Sequence, residues 1–252
     1  GVMVTNTWVK VVNEDQDDDD DPAEYRYYYM QSSGKAYKAG DSSNVKFKTI
    51  DGKKYAFDED GKMLYGWVDE NSAERIDNTD GDAFKEATYY FGGEDDGAMT
   101  TGWLLTDVTY NEATNDDYKY TAAAFNDDED QTRWFYFKSN GKMIKADNGE
   151  RTKDKTINGK KYAFDEYGAM VAEWSDGNNA ERIENTDGAA FKEATYYFGG
   201  EDDGAMTTGW LLADVTYDEA TNDDYKYTAA AFNDDEDQTR WFYFKSNGKM
   251  VK

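Results

Sequence analysis

Rings alternate with other side chains in short runs along this chain, and each run ends in an acidic, glycine-bearing turn. In "KKYAFDEDGKM" (53–63) Tyr55 and Phe57 stand two residues apart, and "DEDG" then precedes Lys62 and Met63. The phrase returns as "KKYAFDEYGAM" at 160–170. A period of two is the strand period, and Asp/Gly clusters are turn signals, so each phrase predicts a β-hairpin rather than a helix. Related phrases are "ATYYFGGEDDGAMTTGW" (87–103) and "RWFYFKSNGKMIK" (133–145). Each is expected to be an aromatic strand, a polar turn and a short strand begun by Gly-x-Met. The polar segment 68–86 reads as a decorated loop. The segment 104–125, with alternating runs around "NEATNDD", reads as an additional hairpin.

The hairpins belong to a longer repeat. Residues 46–145 match residues 153–252 without a gap, at an offset of 107 (153 − 46), with 15 differences in 100 aligned positions. The offset also relates "SSGKAYKA" (32–39) to "SNGKMIKA" (139–146). The expected organisation is a degenerate end of a preceding repeat with an acidic loop over 1–45, a first copy with linker over 46–152, and a second copy over 153–252. An isolated hairpin is marginal in water, so neighbours must bury one another. The predicted fold class is all-β: an elongated solenoid of stacked aromatic β-hairpins, with three core hairpins plus insertions in each long repeat of about 107 residues.

Composition narrows the chemistry. The rings are numerous, with 7 Trp, 21 Tyr and 13 Phe, so the core is expected to be aromatic. Cysteine and histidine are both absent, which removes thiolate chemistry, zinc–thiolate sites and the commonest general base. The net charge of −26 repels phosphate backbones and anionic lipid and favours cationic partners. No apolar run is long enough to cross a bilayer. The start "GVMVTNTW" lacks the basic and apolar regions of a signal peptide, so the chain reads as a mature fragment or internal segment. No Walker loop, dinucleotide fingerprint or nucleophile elbow is present, and the expectation is that the chain is not an enzyme.

"GKKYAFDEDGKM" followed by "GW", and "WFYFKSNGKM", resemble the cell-wall-binding repeats of Gram-positive bacteria, of choline-binding and glucan-binding type, and are similar to the repeats of large clostridial toxins. The resemblance implies a solenoid of hairpins, a place on the bacterial surface or outside the cell, and attachment to a cell-wall or carbohydrate polymer. It also implies an aromatic cage for a quaternary ammonium, or rings on which sugars stack.

In the family pattern Trp-Tyr-Tyr-Phe, positions two and four form one row and positions one and three the other. The former is aromatic in all six hairpins: Tyr55/Phe57, Tyr89/Phe91, Phe135/Phe137, Tyr162/Phe164, Tyr196/Phe198 and Phe242/Phe244. It reads as the packing row. The latter, needed for a cage, is Lys54/Ala56, Thr88/Tyr90, Trp134/Tyr136, Lys161/Ala163, Thr195/Tyr197 and Trp241/Tyr243, so only the third hairpin of each copy keeps both rings. The candidate ligand-binding residues are therefore Trp103, Trp134, Tyr136, Trp210, Trp241 and Tyr243. Trp67 and Trp174 rank below them, and the Gly-x-Met methionines read as adaptable packing. The acidic runs at 92–97, 199–204, 126–131 and 233–238, and "DNTDGD" at 77–82, offer oxygens to calcium, with solvated turns as the plainer reading. Two functions follow: a noncatalytic extracellular region binding a cell-wall or glucan polymer through choline or sugar rings, or a structural stalk or self-associating filament. Nucleic acid and membrane insertion are not expected.

Overall fold

The computed structural model describes residues 1–16, 18, 21–40, 44–110, 129–147, 152–178, 181–217 and 236–252. The strands pair two by two. Thr7–Val12 (β1) lies beside Tyr25–Met30 (β2), Phe47–Ile50 (β3) beside Lys53–Ala56 (β4), and Trp67–Val68 (β5) beside Tyr89–Tyr90 (β6). Gly102–Thr109 (β7) pairs with Asp130–Phe137 (β8), Thr152–Ile157 (β9) with Lys160–Asp165 (β10), Trp174–Ser175 (β11) with Tyr196–Tyr197 (β12), and Gly209–Thr216 (β13) with Asp237–Phe244 (β14). Among the described residues only Ala83–Lys85 and Ala190–Lys192 are helical, each a single 3-10 turn. The chain is all-β and built from hairpins.

Local chemistry sets the tightest of these turns. Asp51 and Gly52 both have positive φ, 50° and 81°, as do Asn158 and Gly159 at 50° and 80°. A two-residue hairpin loop with left-handed backbone at both positions matches the right-handed twist of its strands, and Asp-Gly and Asn-Gly reach it at low cost. The turns after the aromatic strands differ from the expectation. In four of the six hairpins Gly-x-Met returns along the strand with one isolated bridge: Phe57↔Met63, Phe137↔Met143, Phe164↔Met170 and Phe244↔Met250. The main ladder runs instead to the strand that precedes the rings, with Trp210↔Tyr243 and Leu212↔Trp241 in register. The reason is length: the strand beginning Gly-Trp supplies up to eight residues, whereas Gly-x-Met contributes at most one bridge. Likewise β7, expected to start a separate hairpin within 104–125, takes β8 as its partner, and residues 111–128 lie outside the described residues.

The chain divides into two compact units, residues 1–109 with 135–144, and residues 110–134 with 145–252. In the first unit, the Met63 N–H donates to the Tyr27 carbonyl, Met99 to Lys54 and Met143 to Thr88, each at 2.8 Å. In the second, Met170 donates to Trp134 at 3.0 Å, Met206 to Lys161 at 2.8 Å and Met250 to Thr195 at 2.7 Å. The acceptor is always position one of the aromatic strand in an earlier hairpin. One backbone bond thus repeats as the fastener between hairpins, which satisfies polar groups that packing would otherwise strand.

Rings fill the space between fastened hairpins. In the first unit Trp8 packs on Tyr55 and Phe57, with centroids 4.9 and 5.7 Å away, and Trp67 packs on Phe135 and Phe137. In the second Trp174 sits among Tyr197, Phe242 and Phe244. Position four of the pattern is buried throughout: Phe57, Phe91, Phe137, Phe164, Phe198 and Phe244. Position three is buried too where it is alanine. Ala56 joins Leu64, Val68, Tyr89 and Phe91 in one cluster, and Ala163 joins Val171 and Phe198 in another. The "YAF" phrase therefore packs on both of its faces, and its alanine leaves room for the neighbouring hairpin. Trp67 and Trp174, considered as ring contacts for a ligand, are core residues, each 3% exposed.

Candidate functional site

The clearest candidate face lies on the last hairpin. Because Trp210 stands opposite Tyr243 and Leu212 opposite Trp241, strand alternation puts these four side chains on one face of the ladder. The Trp210 ring centroid lies 5.1 Å from Tyr243, with the ring planes at 69°, and 6.2 Å from Trp241, at 88°. Trp210 is 70% exposed, Trp241 63% and Tyr243 43%. Rings of this size ordinarily bury 150–250 Å², so three of them together in water form an unusual exposed aromatic patch. Near-perpendicular planes leave ring faces and edges around a shared corner, which suits an organic cation better than a flat stack would.

The preceding copy places the corresponding residues differently. In the first unit Trp103 and Tyr136 meet edge to face at 5.1 Å, and both are partly buried. In the second unit Trp134 is partly buried, its carbonyl taken by Met170 and its indole Nε1 donating to Asp202 Oδ1 at 3.4 Å. Of the six candidate residues, the structure gathers Trp210, Trp241 and Tyr243 into one exposed group and Trp103 with Tyr136 into a pair.

A second group of rings, outside the candidate list, lies on the first hairpin. Trp8↔Tyr29, Lys10↔Tyr27 and Val12↔Tyr25 place Trp8, Lys10, Tyr25, Tyr27 and Tyr29 on one face. Lys10 Nζ sits 3.6 Å from the Tyr25 ring centroid and 5.6 Å from that of Tyr27, and the Tyr27 hydroxyl donates to Asp95 Oδ1 at 2.5 Å. Lys48 Nζ lies 5.6 Å from the Tyr29 centroid and 5.0 Å from that of Tyr37. The hydrogen bond to Tyr27 holds the Lys10 ammonium above the ordinary lysine value, and the bond to Asp95 does the same for the Tyr27 phenol. The sequence does carry a trace of this face: "TNTWVK" places a lysine two residues after a tryptophan, and "YRYYYM" alternates rings at 25, 27 and 29.

Of the carboxylates considered for calcium, Asp77 serves its turn and Asp82 pairs with Lys85. Asp77 accepts from the Thr79 hydroxyl and backbone, which lowers its pKa, and Asp58 accepts from the backbone of Asp60 and Lys62 while burial raises its own. Arg26 pairs with Asp15 and Asp21 at 2.9 Å each, neutralising part of the acidic loop. Among the described residues no group of three or more acidic side chains is placed to hold a metal ion, and residues 126–128 and 233–235 of the acidic runs lie outside them. No helix among the described residues is long and apolar enough to cross a membrane.

Three segments, residues 45–63, 130–143 and 237–250, match the family described as "Putative cell wall binding repeat". These three segments carry the sequence pattern of that repeat. In overall structure it is similar to the modular autolysin LytC from Streptococcus pneumoniae, solved in complex with a synthetic peptidoglycan ligand, at TM-score 0.46 and 18% identity, covering 100% of this chain and 34% of that one. It is also similar to choline binding protein F from the same organism, at TM-score 0.34 and 19% identity over 91% of this chain and 56% of the other. The choline-binding domain of CbpL, again from Streptococcus pneumoniae, aligns at TM-score 0.35 and 15% identity over 90% and 82%. The chain spans about a third and just over half of the length of the first two. No curated protein matches it.

Proposed function

We propose that this chain is a noncatalytic, extracellular binding region that attaches to a bacterial cell-wall polymer by taking a quaternary ammonium group, such as choline, against exposed rings. The observation that carries this reading is the convergence of Trp210, Trp241 and Tyr243 on one open face of a hairpin whose strand matches the cell-wall-binding repeat. An exposed ring face contributes about 0.5–1 kcal/mol to holding a cation, so one such corner binds weakly and attachment relies on several contacts to one polymer. The net charge of −26 supports the choice of a cationic group. Trp103 with Tyr136, and Trp134, are proposed as secondary contacts.

Sedimentation with insoluble Gram-positive cell walls tests the reading. The chain is expected to co-sediment and to be released by excess choline, and a Trp210→Ala, Trp241→Ala double variant is expected to stay in solution while remaining folded. Retention of wall binding by that variant would overturn the assignment of the face. Binding that choline does not release, or binding to insoluble α-glucan instead, would replace the ammonium by stacked sugar rings.

A further inference from the structure

The first and last hairpins present the same row of positions filled differently: Tyr25 opposite Val12 on the first is Thr239 opposite Asp214 on the last, and Lys10 is Leu212. Lys10 stands opposite Tyr27 as Leu212 stands opposite Trp241, and Trp8 stands opposite Tyr29 as Trp210 stands opposite Tyr243. On the first hairpin the lysine turns its ammonium over Tyr25 and toward Tyr27. On the last, leucine holds that place, and no cation from the described residues lies over Trp210, Trp241 or Tyr243.

We propose that Tyr25 and Tyr27, with Asp95, form a second site for an organic ammonium, kept filled by Lys10. The site has the parts such a ligand needs. The Tyr25 ring face and the Tyr27 ring meet one positive centre, and a carboxylate anchors the Tyr27 phenol, with Asp95 accepting from its hydroxyl. A phenol that donates to a carboxylate has a more electron-rich ring, which strengthens its attraction for a cation. The Tyr27–Asp95 contact recurs one repeat later as Trp134–Asp202, so the pairing of a position-one ring with an acid 68 residues on is a feature of the repeat. Lys48 over Tyr29 and Tyr37 extends the filled row. A tethered ammonium is present at an effective concentration of about millimolar or more, so an external ligand of similar strength is excluded at lower concentrations.

This inference rests on the reading that the rings take a quaternary ammonium, and the test separates the two. Tetramethylammonium and choline would be titrated into the chain, Lys10→Leu and Lys10→Arg, with stoichiometry from calorimetry and ring shifts from NMR with labelled tyrosine and tryptophan. Lys10→Leu is expected to gain one equivalent of tetramethylammonium with shifts at Tyr25 and Tyr27, and Lys10→Arg to gain none. Lys10→Gln repeats the first measurement with a polar side chain, in case leucine at an exposed position causes association. If Lys10→Leu and Lys10→Gln both bind the same number of equivalents as the unaltered chain, with no shift at Tyr25 or Tyr27, the proposal is wrong. A gain in those variants alongside no binding by the unaltered chain would uphold this site and remove the assignment of the last hairpin.

Discussion

The first and last hairpins are two settings of one design. Both set a tryptophan opposite position three of the aromatic strand, yet Trp8 is packed on Tyr29, Tyr55 and Phe57 whereas Trp210 is 70% exposed. The difference lies in what stacks next. Met63 closes on the Tyr27 carbonyl and brings Tyr55 and Phe57 over Trp8, while the Trp241 carbonyl receives no such bond from the described residues. A ring in this repeat is buried or exposed according to its neighbour.

Ring truncation should break that equivalence most strongly. Phe57→Ala removes a buried ring from between two hairpins and is expected to cost about 3–5 kcal/mol in a denaturant titration, whereas Trp241→Ala, at an exposed position, should cost less than about 1 kcal/mol and act on binding instead. Equal losses from the two would mean that the last hairpin is covered in solution.

Two turn glycines sharpen the contrast at smaller scale. A Cβ on Gly248 would lie 2.3 Å from Met206 Sδ, and one on Gly34 would lie 2.5 Å from Met3 Sδ, both on left-handed backbone at φ 83° and 75°. Alanine at either costs about 1–2 kcal/mol of backbone strain. Met206 is held against the cluster of Ala163, Val171 and Phe198, so Gly248→Ala should add about 1 kcal/mol of overpacking, while Met3, 65% exposed, can swing aside. Thermal unfolding of the two variants should place Gly248→Ala lower.

Alkaline titration gives the smallest effect. The Tyr25, Tyr27 and Lys10 protons are held above their ordinary values, through the hydrogen bonds to Glu24, to Asp95 and to Tyr27 respectively. Groups raised by folding contribute stability that is complete below their unfolded values, about 10 for tyrosine and lysine, and lost as pH climbs through the folded ones. Phenolate absorbance should therefore appear late for Tyr27, and Asp95→Asn should bring it earlier. An unchanged titration in that variant would remove Asp95 from the site.

Much of this was legible in the chain itself. The packing row, buried throughout at its fourth position, and the packing role of Met63 or Met170 follow from period two, which is local. Two features were not. "YAF" reads as a strand that has lost its cage row, and the structure shows why: Ala56 and Ala163 are buried where a neighbouring hairpin takes the space that a ring would occupy. The strand pairing differs from the expectation because Gly-x-Met is conspicuous in sequence and contributes at most one bridge, whereas the long partner strand carries few rings.

By itself, then, the sequence determined a repeat of aromatic hairpins with cell-wall-binding signatures, since alternation, turn residues and self-similarity are properties of neighbouring residues. Tertiary structure alone decided which rings stay in water and which rest beneath a lysine. Burial and cation–π contact depend on distances between strands far apart in sequence: Lys10 reaches Tyr25 across a ladder, and Asp95 reaches Tyr27 from 68 residues away.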